Sequence, residues 1–150
     1  MISAAQLKRA VTGKRVLIDS NIIIYLTDAI EPYQNLAKRL FEMIEAGQSD
    51  AVISVLSVGE VMQGPLKLSN HTLAMQVRDY LVNFPNCRCQ EITFDVLGWV
   101  GRDGRIAWQG LRVMDSLIVA SGLANGVDLF VSNGRHFKQA IPQSMMLSLD

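Results

Sequence analysis

The fold is decided by the stretch Arg15-Val-Leu-Ile-Asp-Ser-Asn-Ile-Ile-Ile-Tyr-Leu26. Its first apolar run is short enough for one buried strand and stops at Asp19, after which Ser20 and Asn21 begin a second apolar segment that can wind as a helix. Asp19 is therefore predicted at the carboxyl end of a central strand, the edge of an open α/β sheet where ligands bind. The alternative is an N-cap or an Asx turn, and the residues that join Asp19 in space decide its role.

The composition is that of a folded domain with a sizeable core, because 49% of the 150 residues are hydrophobic. Lys plus Arg number 14 and Asp plus Glu number 14, so no overall positive field draws the molecule to nucleic acid or to a membrane. No leader with a cleavage site and no membrane-length apolar run is recognised, so we expect a cytoplasmic protein. Cys87 and Cys89 are too close for an ordinary structural disulfide, and we expect them reduced.

Strand-like and helix-like segments alternate along the chain. Short apolar runs at 50–54 and 128–132 resemble buried strands, and a helix that Asp115 opens and that ends at Asn125-Gly126 is predicted between them. A helical arm over 1–14 precedes the first strand. This alternation predicts a single domain over residues 1–150, built as a three-layer α/β/α sandwich with a central, mostly parallel sheet of about five strands.

Polar residues fall near strand ends or helix starts at four places: Asp19, Glu60, Asp115 and Ser132. These positions share one edge of a parallel sheet. Three carboxylates within ~5 Å would repel each other by roughly 3 kcal/mol per pair at an effective dielectric of about 20, so the set stays ionised only around a cation. Oxygen ligands select a hard metal, Mg²⁺ or Mn²⁺.

Two of these acids have local alternatives. Glu60 could form a capping box with Ser57, whereas a helix that starts near Ser54 would place Glu60 almost two turns in, where a carboxylate needs a partner. The alternative for Asp115 is that it is simply the N-cap of its helix and has no role in a site.

Four ordered motifs, which together span nearly the whole chain from Arg15 onward, resemble those of PIN domains, and within them the ribonuclease toxins of VapBC toxin–antitoxin pairs. The motifs are Val16–Tyr25, Ile53–Val61, Val113–Leu123 and Leu129–Phe137. The resemblance implies a metal-dependent endoribonuclease that cleaves RNA by in-line attack, leaving a 3′-hydroxyl and a 5′-phosphate. It further implies an antitoxin partner and a homodimer.

The same resemblance implies roles for individual residues. Asp19, Glu60 and Asp115 match the metal-binding acids, and Asn21 and Ser132 match the polar residues that support them. The basic side chains nearest to these motifs are expected to position the RNA backbone, or else to form a solvated rim. They are Arg112, Arg135 and the phosphate-donor candidate His136, with Arg102, Arg105 and Lys138 further out.

The last motif departs from the family pattern. Gly134 occupies the place of the fourth acid and His136 stands where another acid is common, while Ser132 keeps a hydroxyl and Asn133 offers a neutral oxygen. One negative charge is thus missing. A second hypothesis follows, a PIN-like module that binds RNA or a protein partner without cleaving. A third, phosphoryl transfer with Asp19 as nucleophile, fits less well because Asn21 stands where such enzymes need an acid.

Overall fold

The computed structural model describes residues 1–150 and consists of a five-stranded sheet with helices around it. The strands are β1 (Arg15–Ile18), β2 (Asp50–Ser54), β3 (Cys87–Gln90), β4 (Leu129–Val131) and β5 (Met146–Leu147). The helices are α1 (Ala4–Val11), α2 (Ser20–Thr27), α3 (Gln34–Glu45), α4 (Val55–Lys67), α5 (His71–Val82), α6 (Phe94–Leu97), α7 (Val113–Ala124) and α8 (Arg135–Ala140). None of the helices is both long and apolar enough to cross a bilayer.

The sheet is parallel throughout and has the order β3-β2-β1-β4-β5, which confirms the predicted architecture. β1 is the central strand, and its Leu17 pairs with Val52 on one side and with Phe130 on the other. Parallel strands all point the same way, so their carboxyl ends lie along one edge. Asp19, Ser54 and Ser132 end or directly follow the three central strands and therefore share that edge.

Each face of the sheet carries its own apolar core, because successive side chains of a strand point to opposite faces. Val16 and Ile18 belong to a cluster of 21 buried residues, which also contains Leu7 and Val11 of α1. Leu17 belongs to a cluster of 10 buried residues on the other face, with Ile118 of α7. At Gly122 a Cβ would lie 2.7 Å from the Phe130 ring, so α7 packs this closely on β4 only with glycine there.

The helix starts decide between the local alternatives for the acids. α4 begins directly after Ser54, whose hydroxyl accepts a hydrogen bond from the Leu56 amide, so the proposed Ser57–Glu60 capping box does not form and Glu60 lies in the second turn. In α7 the N-cap position belongs to Arg112, and Asp115 is in the first turn, so the interpretation of Asp115 as a cap is wrong. Both acids thus need another explanation.

Candidate active site

A cleft of about 570 Å³ opens at the carboxyl edge of the sheet, above the ends of β1 and β4. It is bounded by the start of α2, the second turn of α4, the start of α7 and the start of α8. Its lining residues are Asp19, Ser20, Asn21, Glu60, Arg112, Val113, Met114, Asp115, Gly134, His136 and Phe137. The three acids that the sequence singled out therefore meet in one cleft, although they are far apart along the chain.

Asp19 lies on the floor of the cleft with only 6% of its surface exposed. One carboxylate oxygen, Oδ1, accepts a hydrogen bond from the Ser20 amide at 2.8 Å, and Oδ2 accepts one from the Ser132 hydroxyl at 2.6 Å. Asp19 is also the N-cap of α2, so capping and a place in the cleft are compatible. Burial raises the pKa of Asp19, the two hydrogen bonds lower it, and the nearby charges of Glu60 and Asp115 raise it further.

The Ser132 hydroxyl is the centre of a buried polar network beneath Asp19. It is fully buried, donates to Asp19, and accepts hydrogen bonds from the Gly134 amide at 2.9 Å and from Asn21 Nδ2 at 3.3 Å. A carboxylate held by such a network keeps one rotamer. Ser132 thus fixes the position of the Asp19 carboxylate, and Asn21 acts on it through Ser132.

Glu60 reaches the cleft from α4 and is held by a residue that sequence reasoning did not assign. The Ser20 hydroxyl donates to Glu60 Oε2 at 3.0 Å, which ties the first turn of α2 to the second turn of α4. The sequence did place Ser20 next to Asp19 at the start of a helix, and therefore at the carboxyl edge of the sheet where the acids lie. Nothing in the sequence showed that its acceptor would lie 40 residues away.

Asp115 projects from the first turn of α7 and forms an ion pair with Arg112. Arg112 Nε lies 3.1 Å from Asp115 Oδ2, and the arginine side chain is 73% exposed while the aspartate side chain is 9% exposed. The hydrogen bond to Asp115 raises the pKa of Arg112, as do the charges of Asp115, Glu60 and Asp19. The Arg112 guanidinium therefore feels all three acids of the cleft.

Two of the predicted site residues lie elsewhere. Asn133 Oδ1 accepts hydrogen bonds from the Leu149 amide at 2.7 Å and the Ser148 hydroxyl at 3.1 Å, while Nδ2 donates to the Tyr25 hydroxyl at 3.2 Å. The oxygen predicted to face the site instead holds the C-terminal segment against the sheet. Arg135 is exposed and does not line the cleft, whereas the neighbouring His136 does.

The family model for the PIN domain matches residues 16–141. The chain belongs to the PIN domain family. Among the curated proteins compared, none matches the sequence.

Solved structures share the fold of this PIN domain over most of its length. VapBC2 from Rickettsia felis, bound to a promoter DNA fragment, is 18% identical with a TM-score of 0.62, over 91% of this chain and 99% of that one. DNA-bound VapBC from Salmonella typhimurium is 16% identical with a TM-score of 0.63, over 90% and 98%. VapC20 from Mycobacterium tuberculosis, described as a sarcin–ricin loop cleaving toxin, is 16% identical with a TM-score of 0.60, over 85% and 97%.

The donor set of this PIN domain suits a hard divalent ion. Every acid in the cleft offers oxygen, and burial together with two neighbouring acids opposes the ionisation of Asp19, which a cation would offset. As the side chains stand, no three acids, histidines or cysteines are close enough to share one ion. Each carboxylate instead has a donor within the chain, namely Ser132, Ser20 or Arg112. A shared ion therefore requires some of these side chains to turn from the positions that they hold here.

Gly134 stands at the position where the resemblance described above predicts a fourth acid. A Cβ at this position would lie 3.6 Å from Asp19 Oδ2, 3.5 Å from Asn21 Nδ2 and 3.1 Å from the Ser132 hydroxyl. A side chain here would thus enter the cleft beside Asp19. With glycine here, the cleft is open on the side of α8 and has one negative charge fewer than it would have with an acid at this position.

Proposed function

We propose that this PIN domain is a Mg²⁺- or Mn²⁺-dependent endoribonuclease and the toxin of a toxin–antitoxin pair. The observation that carries the proposal is that Asp19, Glu60 and Asp115 come from three separate elements and line one cleft. The fold is also that of proteins named as VapBC complexes and as a sarcin–ricin loop cleaving toxin. On this proposal the partners are an RNA substrate, a cognate antitoxin protein and a second copy of the chain.

The three acids are proposed to hold the ion, with Asp19 and Asp115 binding directly and Glu60 binding directly or through water. When bound, such an ion lowers the pKa of a water molecule and offsets charge on the phosphoryl oxygens. The chain itself supplies positioning. Ser132 fixes the buried Asp19 carboxylate before any ion arrives, and Ser20 holds Glu60 within the same cleft.

Substrate binding is assigned to the cations at the rim. A cleft lined by three carboxylates repels a phosphodiester, so a positive side chain must contact the backbone. Arg112 and His136 line the cleft and are proposed to donate to phosphate oxygens. Arg135 is exposed on the first turn of α8 and is proposed to contact the RNA backbone further along.

We also propose that residues 1–150 form one domain in which the arm 1–14 is a structural part. Leu7 and Val11 of α1 are fully buried in the larger core cluster, and the Ile2 amide donates to the Leu149 carbonyl. The arm therefore closes the fold by joining the two ends of the chain.

The test is cleavage of labelled RNA by the purified protein in Mn²⁺, Mg²⁺ or EDTA. Asp19→Asn and Asp115→Asn should abolish cleavage, while Asp79→Asn, which removes an exposed acid on α5, should leave it unchanged. Products should carry 5′-phosphates. Cleavage that persists in EDTA, or in the Asp19→Asn variant, contradicts the proposal.

A second candidate function rests on Gly134. Because one acid of the family pattern is absent, the cleft is also compatible with a module that binds RNA or a protein without cutting it. This alternative predicts RNA retention in a filter-binding assay that Asp19→Asn does not weaken, with no cleavage in any metal. Wild type and the Asp19→Asn variant, assayed for both cleavage and RNA binding, therefore distinguish the two functions.

A further inference from the structure

The side chain of Arg112 does not cap the helix that follows it. It stands at the N-cap of α7, where its side chain makes no capping hydrogen bond. The positive end of the helix dipole lies there and disfavours a cation. The side chain nevertheless folds forward to Asp115, three residues on. This contact places the guanidinium at the cleft that both residues line.

The contact between Arg112 and Asp115 is a single hydrogen bond. Arg112 uses only Nε, at 3.1 Å, so the other guanidinium nitrogens donate to no group of the chain. Arg105, by contrast, grips Asp103 through Nε at 3.1 Å and Nη2 at 2.7 Å. A one-point contact on a side chain that is 73% exposed can be broken by rotation into water.

Asp115 depends on this contact more than Arg112 does. Its carboxylate is nearly buried and accepts no hydrogen bond other than the one from Arg112. The other two acids, Asp19 and Glu60, are bonded to serine hydroxyls, which are neutral and need not leave when a cation binds. Arg112 is thus the one positively charged side chain that forms an ion pair with an acid of the cleft.

We propose that Arg112 is a tethered counter-ion that competes with the divalent metal for Asp115. In the metal-free protein it neutralises part of the acidic cluster. When the metal binds Asp115, the guanidinium turns outward and all its donors become available to a substrate phosphate. This assignment rests on the proposed function, because it names which residue the metal displaces.

The test is Mn²⁺ binding in the absence of RNA, read from the electron paramagnetic resonance signal of free Mn²⁺. Arg112→Gln should bind Mn²⁺ about two- to fivefold more tightly than wild type, the range expected when an ion pair with a largely exposed arginine is removed. Arg78→Gln removes an equal charge from the exposed pair with Asp79 on α5 and should match wild type. In an Asp115→Asn background, the gain from Arg112→Gln should be clearly smaller, because only the longer-range charges of Asp19 and Glu60 then remain.

Each possible result either supports or overturns the proposed competition between Arg112 and the metal. Equal Mn²⁺ affinity in wild type and Arg112→Gln, or an equal gain in Arg78→Gln, overturns the competition and leaves the proposed ribonuclease intact. A gain of undiminished size in the Asp115→Asn background also overturns it. No Mn²⁺ binding by folded wild type or by folded Arg112→Gln overturns both the competition and the metal-dependent function.

Discussion

Replacing Gly134 by aspartate adds the fourth acid that the sequence resemblance predicts at this position and measures how strongly the cleft resists a fourth charge. The backbone accepts the change, because Gly134 has φ −66° and ψ 131°. The residue is also the N-cap of α8, where aspartate is favoured over glycine by a few tenths of a kcal/mol. The effect of the substitution therefore comes from charge and from crowding.

The size of the charge effect follows from the geometry. A Cβ at residue 134 lies 3.6 Å from Asp19 Oδ2, so the new carboxylate oxygens fall about 5 Å from the Asp19 charge. At an effective dielectric of about 20, this repulsion is about 3 kcal/mol. After the capping gain, metal-free Gly134→Asp should be less stable than wild type by about 2–3 kcal/mol, a fall in Tm of about 5–10 °C for a chain of this length.

The matched control is Gly134→Asn, which crowds the Ser132 hydroxyl in the same way without adding charge. Thermal unfolding of wild type and both variants should be followed by circular dichroism in EDTA and in Mn²⁺. Gly134→Asp should melt well below Gly134→Asn in EDTA and should gain more Tm from Mn²⁺ than either other protein. Equal melting of the two variants in both buffers would refute the reasoning.

Three further predictions concern the network around Asp19 and the C-terminal segment. Ser132→Ala removes a charge-assisted hydrogen bond and strands two donors, so the free energy of unfolding should fall by about 2–3 kcal/mol, and an unchanged guanidinium midpoint would contradict this. Burial raises the folded-state pKa of Asp19 above 3.8, so ionising it costs native stability. Wild type should accordingly lose stability relative to Asp19→Asn as pH rises from about 3.8 through the raised pKa, with no slope in the difference below that range. Asn133→Ala removes the acceptor of the Leu149 amide and should speed its hydrogen exchange, whereas Asn133→Asp keeps an acceptor and should speed it less.

The sequence by itself determined the layered α/β architecture and the edge at which the acids stand. Apolar runs of strand length and helices with apolar faces are local patterns, and they follow directly from what each segment buries. Parallel strands then place their carboxyl ends together, whichever helices connect them. These patterns predicted that Asp19, Glu60 and Asp115 share one edge of the sheet, and the structure shows that all three line one cleft there.

Only the tertiary structure decided which atoms face the cleft. The Ser57–Glu60 spacing fits a capping box, but Ser54 is the N-cap of α4 because β2 ends at that residue. Asn133 accepts a hydrogen bond from the C-terminal segment, and Ser20 donates one to Glu60. In both cases the partners are distant in sequence and adjacent in space, so local patterns could not predict them. Side-chain direction depends on such non-local contacts, since a shift of one residue or one rotamer moves an oxygen from the cleft to the core.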